Sequence, residues 1–484
     1  MHKARQFFLV ASLVFVAQEF VAAQFRPNLQ PPTTTPIRHL VVIFDENNSF
    51  DHYFGAYPNA TNPPGEPPFY AEPDTPPVNG LTAGLQTHNP NSAQPFRLDR
   101  SQANTCDNDN HYHDEQVAYD GGLMDNFSIL GCSPGLQMGY YDGNTVTALW
   151  NYAQHFAMSD NFFASTFGTT VMGHLNLPSG QTHGAIPASI PKAVANGSVI
   201  ANVDPTLDDC SVGNVVTMSG KNIGDLLNAK GVTWGWFYDG WTSTSSGNAQ
   251  CSSSYNPHYA PFQYYASTAN PHHRPPTSAA IIGQTDQANH QYALTDLWNA
   301  LDQGILPAVT FIKASTMFTG HPSDSSPLEE QQFLVETINR LEQSPQWHDM
   351  AILITYDDSD GWYDHVMPPI MSKSNDPVND ALLGPAGLCG TPAPGAYNDR
   401  CGYGPRLPFL AISRFAKSNF VDNNLTDQSS ITSFIEDNWQ TGQIGDQSFD
   451  AFAGSILNMF DFGGFRNRAL FLDPNTGEPL FPDR

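Results

Sequence analysis

Residues 39–45 begin as an almost unbroken apolar run: Leu40, Val41, Val42, Ile43 and Phe44 follow one another and then give way to Asp45, Glu46 and Asn47. A short run rich in β-branched side chains reads as a buried strand. A carboxylate and an amide at the carboxyl end of such a strand stand where open α/β sheets place their ligand crevice. Both side chains offer oxygen, which suits a hard divalent cation. Asp51 and His52 follow within the same acidic segment.

A second segment repeats the pattern. Residues 350–356 are apolar up to Tyr356 and run into Asp357 and Asp358, with Gly361 supplying a turn. Neighbouring carboxylates repel at close range, so two such strand ends predict a shared cation. The rest of the chain alternates in the same sense. Helices are predicted over 146–155 (Leu149, Tyr152 and Ala153 on one face), 221–230 (stopped by Gly231) and 428–439 (Ile431, Phe434 and Ile435). The clearest helix starts at Ser326, with Pro327 in its first position and Glu329 completing a capping box. Its stripe is Phe333, Leu334, Ile338 and Leu341. Strands are predicted over 232–238, 306–312 and 407–413. Pro-, Asn- and Gly-rich stretches at 58–100, and a Ser-, Pro- and His-rich one at 240–285, read as long loops. The fold class expected is α/β, an α/β/α sandwich with long loop insertions.

Twenty lysines and arginines face 47 acids, a net charge of −27. That excludes nucleic acid and anionic membranes as main partners, because both need a basic footprint. A phosphate site would have to be made locally, by a metal, histidines or backbone amides. Lys3, Arg5, an apolar stretch at 7–16 and the small residues Ala22 and Ala23 read as a secretory signal peptide over 1–23. The mature chain, 24–484, is expected to be one exported domain with no stable membrane anchor. Six cysteines fit that compartment. Nearest-neighbour pairing (Cys106 with Cys132, Cys210 with Cys251, Cys389 with Cys401) is one of the many connectivities six cysteines allow. Asn59, Asn126, Asn196 and Asn424 head glycosylation sequons. Asn47 does too, but a sugar there would fill the proposed site.

Thr170 is predicted to lie in a glycine-flanked turn, with Gly168 before it and Gly173 after it. A hydroxyl there is a candidate nucleophile, provided a metal or base activates it. Four segments together resemble the microbial phosphoesterase family that holds secreted acid phosphatases and phosphatidylcholine-type phospholipases C. They are residues 45–55, 167–174, 270–276 (with His272 and His273) and 356–365.

The resemblance implies an alkaline-phosphatase-like fold and one divalent metal held by Glu46, Asn47, Asp357, Asp358 and Thr170, with Thr170 as nucleophile. It also implies that His272, His273 and His321 lie near the phosphoryl group. Thr169 stands where many members have proline. The family's Asp-x-x-His contact falls on Asn110 here, leaving the adjacent His111 as the candidate. An oxygen-rich ligand set favours calcium, magnesium or manganese over zinc.

The expected function is a secreted acid phosphatase acting on small phosphate esters through a phosphothreonine intermediate, with an acidic optimum. The runner-up is a phospholipase C acting on phospholipid headgroups. A non-catalytic exported binding protein would not need the nucleophile. A sulfatase would need a Cys-x-Pro-x-Arg site, which Cys389-Gly-Thr-Pro392 does not supply. The sequence does not give the oligomeric state.

Overall fold

The apolar runs form the middle of one eight-stranded sheet. In chain order its strands are β1 (His39–Asp45), β2 (Ala157–Ser159), β3 (Trp234–Tyr238), β4 (Gln291–Tyr292), β5 (Val309–Lys313), β6 (Met350–Tyr356), β7 (Phe409–Ser413) and β8 (Phe420–Asp422). Across the sheet the order is β4-β3-β5-β1-β6-β7-β2-β8. β1 lies parallel to both β5 and β6, with Ile43 opposite Ile312 and Ile354. Within this sheet β7 is the strand that runs against its neighbours. The computed structural model describes residues 30–242, 249–384, 388–464 and 467–480. The expected signal peptide and the last four residues lie outside the described residues.

The principal helices are α1 (Phe50–Phe54), α2 (Tyr112–Tyr119), α3 (Thr147–His155), α4 (Thr170–Ser179), α5 (Ile223–Lys230), α6 (Leu294–Asp302), α7 (Pro327–Gln343) and α8 (Ser429–Trp439). They cover both faces of the sheet. Successive side chains of a strand point to opposite faces, and the end of β1 shows it. Phe44 meets His174 of α4 edge-on, 4.9 Å between centroids. Its neighbour Asp45 pairs in register with Tyr356, whose hydroxyl donates to Glu330 of α7. α4 packs with α5 and α8 on the first face, and α3 packs with α7 on the second. The expected α/β/α sandwich is therefore the one found.

Local rules account for most element boundaries. α7 carries the expected capping box, with the Ser326 side chain accepting from Leu328 and the Glu329 side chain accepting from the Ser326 N–H. Gly231 ends α5 in the left-handed conformation, φ 73°. The stretch around Thr170, expected as a turn, is instead the start of α4. All ten residues of α4 are buried, so it has no polar face and no helical periodicity to read. Gly173 and Pro178 further disguise it, and burial between the sheet and its neighbouring helices overrides their low propensity.

The three disulfides join Cys106 to Cys132, Cys210 to Cys251 and Cys389 to Cys401. Asn47 is buried, whereas Asn59 and Asn424 are exposed. Among the described residues no helix is long and apolar enough to cross a membrane.

Ile354 lies fully buried in β6, beside β1. Truncating it to alanine should cost about 2–5 kcal/mol of stability. Chemical denaturation with an unchanged slope and a lowered midpoint would show it.

Candidate active site

The parallel register of β1 and β6 brings the two acidic strand ends to one edge of the sheet. Asp45 opposes Tyr356, so Glu46 and Asn47 leave the sheet beside Asp357 and Asp358. The contact is direct: the Asn47 N–H donates to Asp357 Oδ1 at 2.9 Å. Asn47 and Asp360 both have positive φ, 56° and 51°. Asn and Asp tolerate this region better than most residues, and it folds both loops back over the strand ends. Gln428 fixes the β6 end by donating to the carbonyls of Tyr356 and Asp357.

Alternation then sorts the acids. Asp45 points to the α7 face, where burial and Glu330 push its carboxyl well up. Glu46 points to the α4 face with Asp357. The N-terminal half of α4 lies against that edge at very close range: a Cβ on Gly173 would fall 2.1 Å from the Asp357 carbonyl oxygen, so only glycine fits there. Thr170 is thereby delivered to the acids, its hydroxyl donating to Asp358 Oδ2 at 3.3 Å. The expected set Glu46, Asn47, Asp357, Asp358 and Thr170 forms a single buried constellation, each residue at most 2% exposed.

The cluster has the properties of a cation site. Among the described residues, Glu46 Oε2, Asn47 Oδ1 and Asp357 Oδ2 are buried without a hydrogen-bond partner. The Asn47 amide nitrogen is engaged with Asp360 Oδ1 at 3.2 Å and lies 3.3 Å from His321 Nε2, which leaves its oxygen for a metal. Burial, and then Asp357, pushes the Glu46 carboxyl well above its ordinary range, with Lys313 offsetting part of this. Burial and Asp357 do the same to Asp358. A compensating positive charge is what such a group needs to ionise. The buried oxygens are donors suited to a divalent cation.

Several members of the site are absent from the sequence-level expectation. Lys313 ends β5, is fully buried and pairs with Glu46 Oε1. Its ammonium also lies 4.7 Å from the Tyr259 ring centroid. His174 sits one helical turn after Thr170, its Nδ1 2.9 Å from the Thr170 carbonyl. Its Nε2 lies 3.6 Å from Glu46 Oε1. Donation from Nδ1 puts a lone pair on Nε2, and burial, together with Lys313, lowers the imidazole well below its usual pKa and keeps it neutral. Glu46, His174 and Asp357 present ligand atoms within 4.8 Å of one another. Asp360 is the remaining addition. A lysine closing a buried strand, and a histidine four residues after Thr170, were readable signals; the second depended on recognising α4 as a helix.

The expected histidines divide. His321 reaches the site through Asn47. His111 does not. It caps α2, turns to Asp109 and is 64% exposed in its side chain. Asn110 takes the contact instead, donating to Asp358 Oδ1 at 2.9 Å, because its side chain faces inward where that of His111 faces solvent. His272 pairs with Asp209 at 2.8 Å and His273 with Asp208 at 2.9 Å. His273 packs on Tyr255, which leads through Tyr238 and Tyr259 to His174. His273 is thus separated from His174 by three tyrosine rings, and His272, its side chain 45% exposed, turns to Asp209, so the structure does not bring the pair into the Glu46–Asp357 constellation as the motif resemblance implied.

A family model described as the phosphoesterase family matches residues 37–442. The chain belongs to the phosphoesterase family. The recognition drawn from the motifs, and the enzyme class they imply, a phosphoric ester hydrolase, are those of this family. A non-hemolytic phospholipase C of Pseudomonas aeruginosa is 25% identical over 453 residues, covering 91% of this chain and 60% of that protein. Phospholipase C B of Mycobacterium tuberculosis is 22% identical, covering 98% of this chain and 88% of that protein. This chain thus spans less than two thirds of the Pseudomonas protein. Among solved structures, a protein of the alkaline phosphatase superfamily from Vibrio parahaemolyticus overlays with a TM-score of 0.33 at 11% identity, covering 87% of this chain and 71% of that chain.

Two outcomes follow from this geometry. Mn2+ or Ca2+ at a hundredfold over its dissociation constant should stabilise the protein by about 2.7 kcal/mol. An Asp357→Ala variant should lose that gain, as followed by thermal denaturation with and without chelator.

The second outcome concerns His365, which follows the acidic loop and pairs with Asp51 at 2.6 Å. Burial lowers its pKa, but the Asp51 carboxylate more than offsets this, so the imidazolium is held above its ordinary 6.5. Its stabilising contribution is therefore full below that value and lost as pH rises through the raised one. Stability measured from pH 5 to 9 should fall more steeply in the wild type than in His365→Gln.

Proposed function

We propose that this protein is an exported, metal-dependent phosphoric ester hydrolase that works through Thr170. We favour phospholipase C-type cleavage of phosphodiester headgroups over an acid phosphatase activity. The observation that carries the chemistry is the Thr170 hydroxyl, held 3.3 Å from Asp358 at the N-terminus of α4 beside orphaned buried oxygens. The preference for diesters is supported by the relatives, which are named phospholipases C. Export is supported by the signal-like leader and the three disulfides.

Glu46, Asn47, Asp357, Asp358 and Thr170 would hold the metal. Once bound, it would acidify the Thr170 hydroxyl and screen the negative charge of the phosphate. Thr170 Oγ1 attacks phosphorus in line and its proton passes to Asp358, to which it already donates. The positive end of the α4 dipole favours the anionic group at this point, a local anion site in a strongly acidic chain. The leaving oxygen takes a proton from a histidine; His321, whose Nδ1 is bonded to the Pro322 carbonyl at 2.6 Å, would give it from Nε2 as the imidazolium, turned from Asn47 to the leaving oxygen. Water then cleaves the phosphothreonine and regenerates the hydroxyl.

A second reading, phosphomonoester hydrolysis, is favoured by His272 and His273. It rests on their place in the sequence motif alone, since each is bound to its own aspartate, Asp209 and Asp208.

The test compares a chromogenic phosphomonoester with its phosphocholine diester, from pH 4 to 8, with and without chelator. Chelator-sensitive preference for the diester supports the first reading, and preference for the monoester the second. Thr170→Ala should lower kcat by at least about a thousandfold while leaving the circular dichroism spectrum unchanged. Full turnover in that variant would remove Thr170 as nucleophile.

A further inference from the structure

Glu115 on α2 is fully buried and joins the two loops that carry the reactive groups. Its Oε2 accepts the backbone N–H of Gly168 at 2.8 Å, and its Oε1 accepts the hydroxyl of Ser359 at 2.7 Å. Gly168 lies two residues before Thr170, and Ser359 directly follows Asp358. Thr170 Oγ1 donates in turn to Asp358 Oδ2. A closed ring of contacts therefore runs from Thr170 through Gly168, Glu115, Ser359 and Asp358 back to Thr170. The donor is specific to its position. Gly168 has φ 118°, and a Cβ there would fall 2.3 Å from Met172 Sδ, so glycine alone can present this N–H. The same segment supplies Asn110, which holds the other oxygen of Asp358 at 2.9 Å.

We propose that Glu115 is a positioning residue, a carboxylate strap that fixes the Thr170 hydroxyl against Asp358. The inference rests on the reading of Thr170 as nucleophile. Glu115 acts through its neighbours: its two oxygens are occupied by Gly168 and Ser359. An error of about 1 Å in a reacting pair costs on the order of a hundredfold in rate. Partners of metal ligands typically contribute 10–100-fold, about that range, to metal affinity or activity.

The experiment uses the full chain and the ester that it turns over. It measures kcat and KM at saturating Mn2+, and Mn2+ affinity by calorimetry. Glu115→Ala and Ser359→Ala are expected to lower kcat by about 10–100-fold, with KM changed less than about twofold. Mn2+ affinity should fall by about tenfold, because Asp358 loses its fixed orientation. Glu115→Gln, which keeps the shape and can still accept from Gly168, should recover most of the loss. The Glu115→Ala/Ser359→Ala double variant should be no worse than Glu115→Ala alone, since Glu115→Ala already removes the link to Ser359.

A wild-type kcat or a wild-type Mn2+ affinity in a folded Ser359→Ala or Glu115→Ala variant overturns the strap, as do additive losses. If Glu115→Ala does not fold, Ser359→Ala decides the question by the same criteria, with Glu115→Gln expected to stay near the wild type. Thr170→Ala, assayed beside them, separates the two ideas. Its inactivity together with full speed in Glu115→Ala and Ser359→Ala sinks the strap alone, whereas its full activity sinks the nucleophile and the strap with it.

Discussion

Mutual repulsion among buried carboxylates is the constraint around which this structure is arranged. Glu46, Asp357, Asp358 and Asp360 are all gathered at the carboxyl edge of a parallel sheet and are at most 1% exposed. In a medium of low dielectric such a cluster is strongly unfavourable unless positive charge or protons compensate it. Lys313, the one fully buried lysine among the described residues, supplies part of that charge at Glu46. The oxygens left without partners define where the remainder is needed. Buried acids kept at such a cost mark the edge as a candidate site rather than a packed strand end.

The surroundings convert that electrostatic demand into geometry. The glycine at 173 lets a helix backbone touch the Asp357 carbonyl, and this contact sets the threonine hydroxyl over the carboxylates. Two residues in left-handed backbone conformation, Asn47 and Asp360, turn the loops inward. Asn110, from the loop that follows the Cys106–Cys132 disulfide, and Glu115, from α2, complete the enclosure from the other side. The second acid network nearby is built differently. Asp51 and Asp364 are bridged by Arg406 at 3.0 and 3.1 Å, and His365 joins Asp51. Internal cations satisfy that cluster, so it braces the loop after β6.

Much of the frame was legible because local physics determines it. Unbroken β-branched runs have no solvent face, and β1 and β6 formed where those runs lie. Ser326, Pro327 and Glu329 marked the start of α7 because capping depends only on neighbours in sequence. The acids Glu46, Asp357 and Asp358 and the amide Asn47 were readable as strand-end groups for the same reason. α4 was not readable, since a helix buried all round carries no periodic signal. His111 and Asn110 are adjacent in the chain, and the choice between them was decided by which side chain faces the core at the entry to α2. His272 and His273 sit in Asp208–Asp209 pairs that a linear reading could not connect.

The sequence by itself determined the fold class, the two acidic strand ends, the threonine between glycines and the oxygen-rich cluster that could hold a cation. Each is encoded in contiguous residues, through hydrophobic pattern, capping chemistry and ligand type. Tertiary structure alone decided that Lys313 and His174 meet Glu46, that Asp45 faces away from the site, and that Glu115 ties Gly168 to Ser359. These are contacts between distant segments. They follow from sheet register and the close approach of α4, which are set by the packing of the whole core.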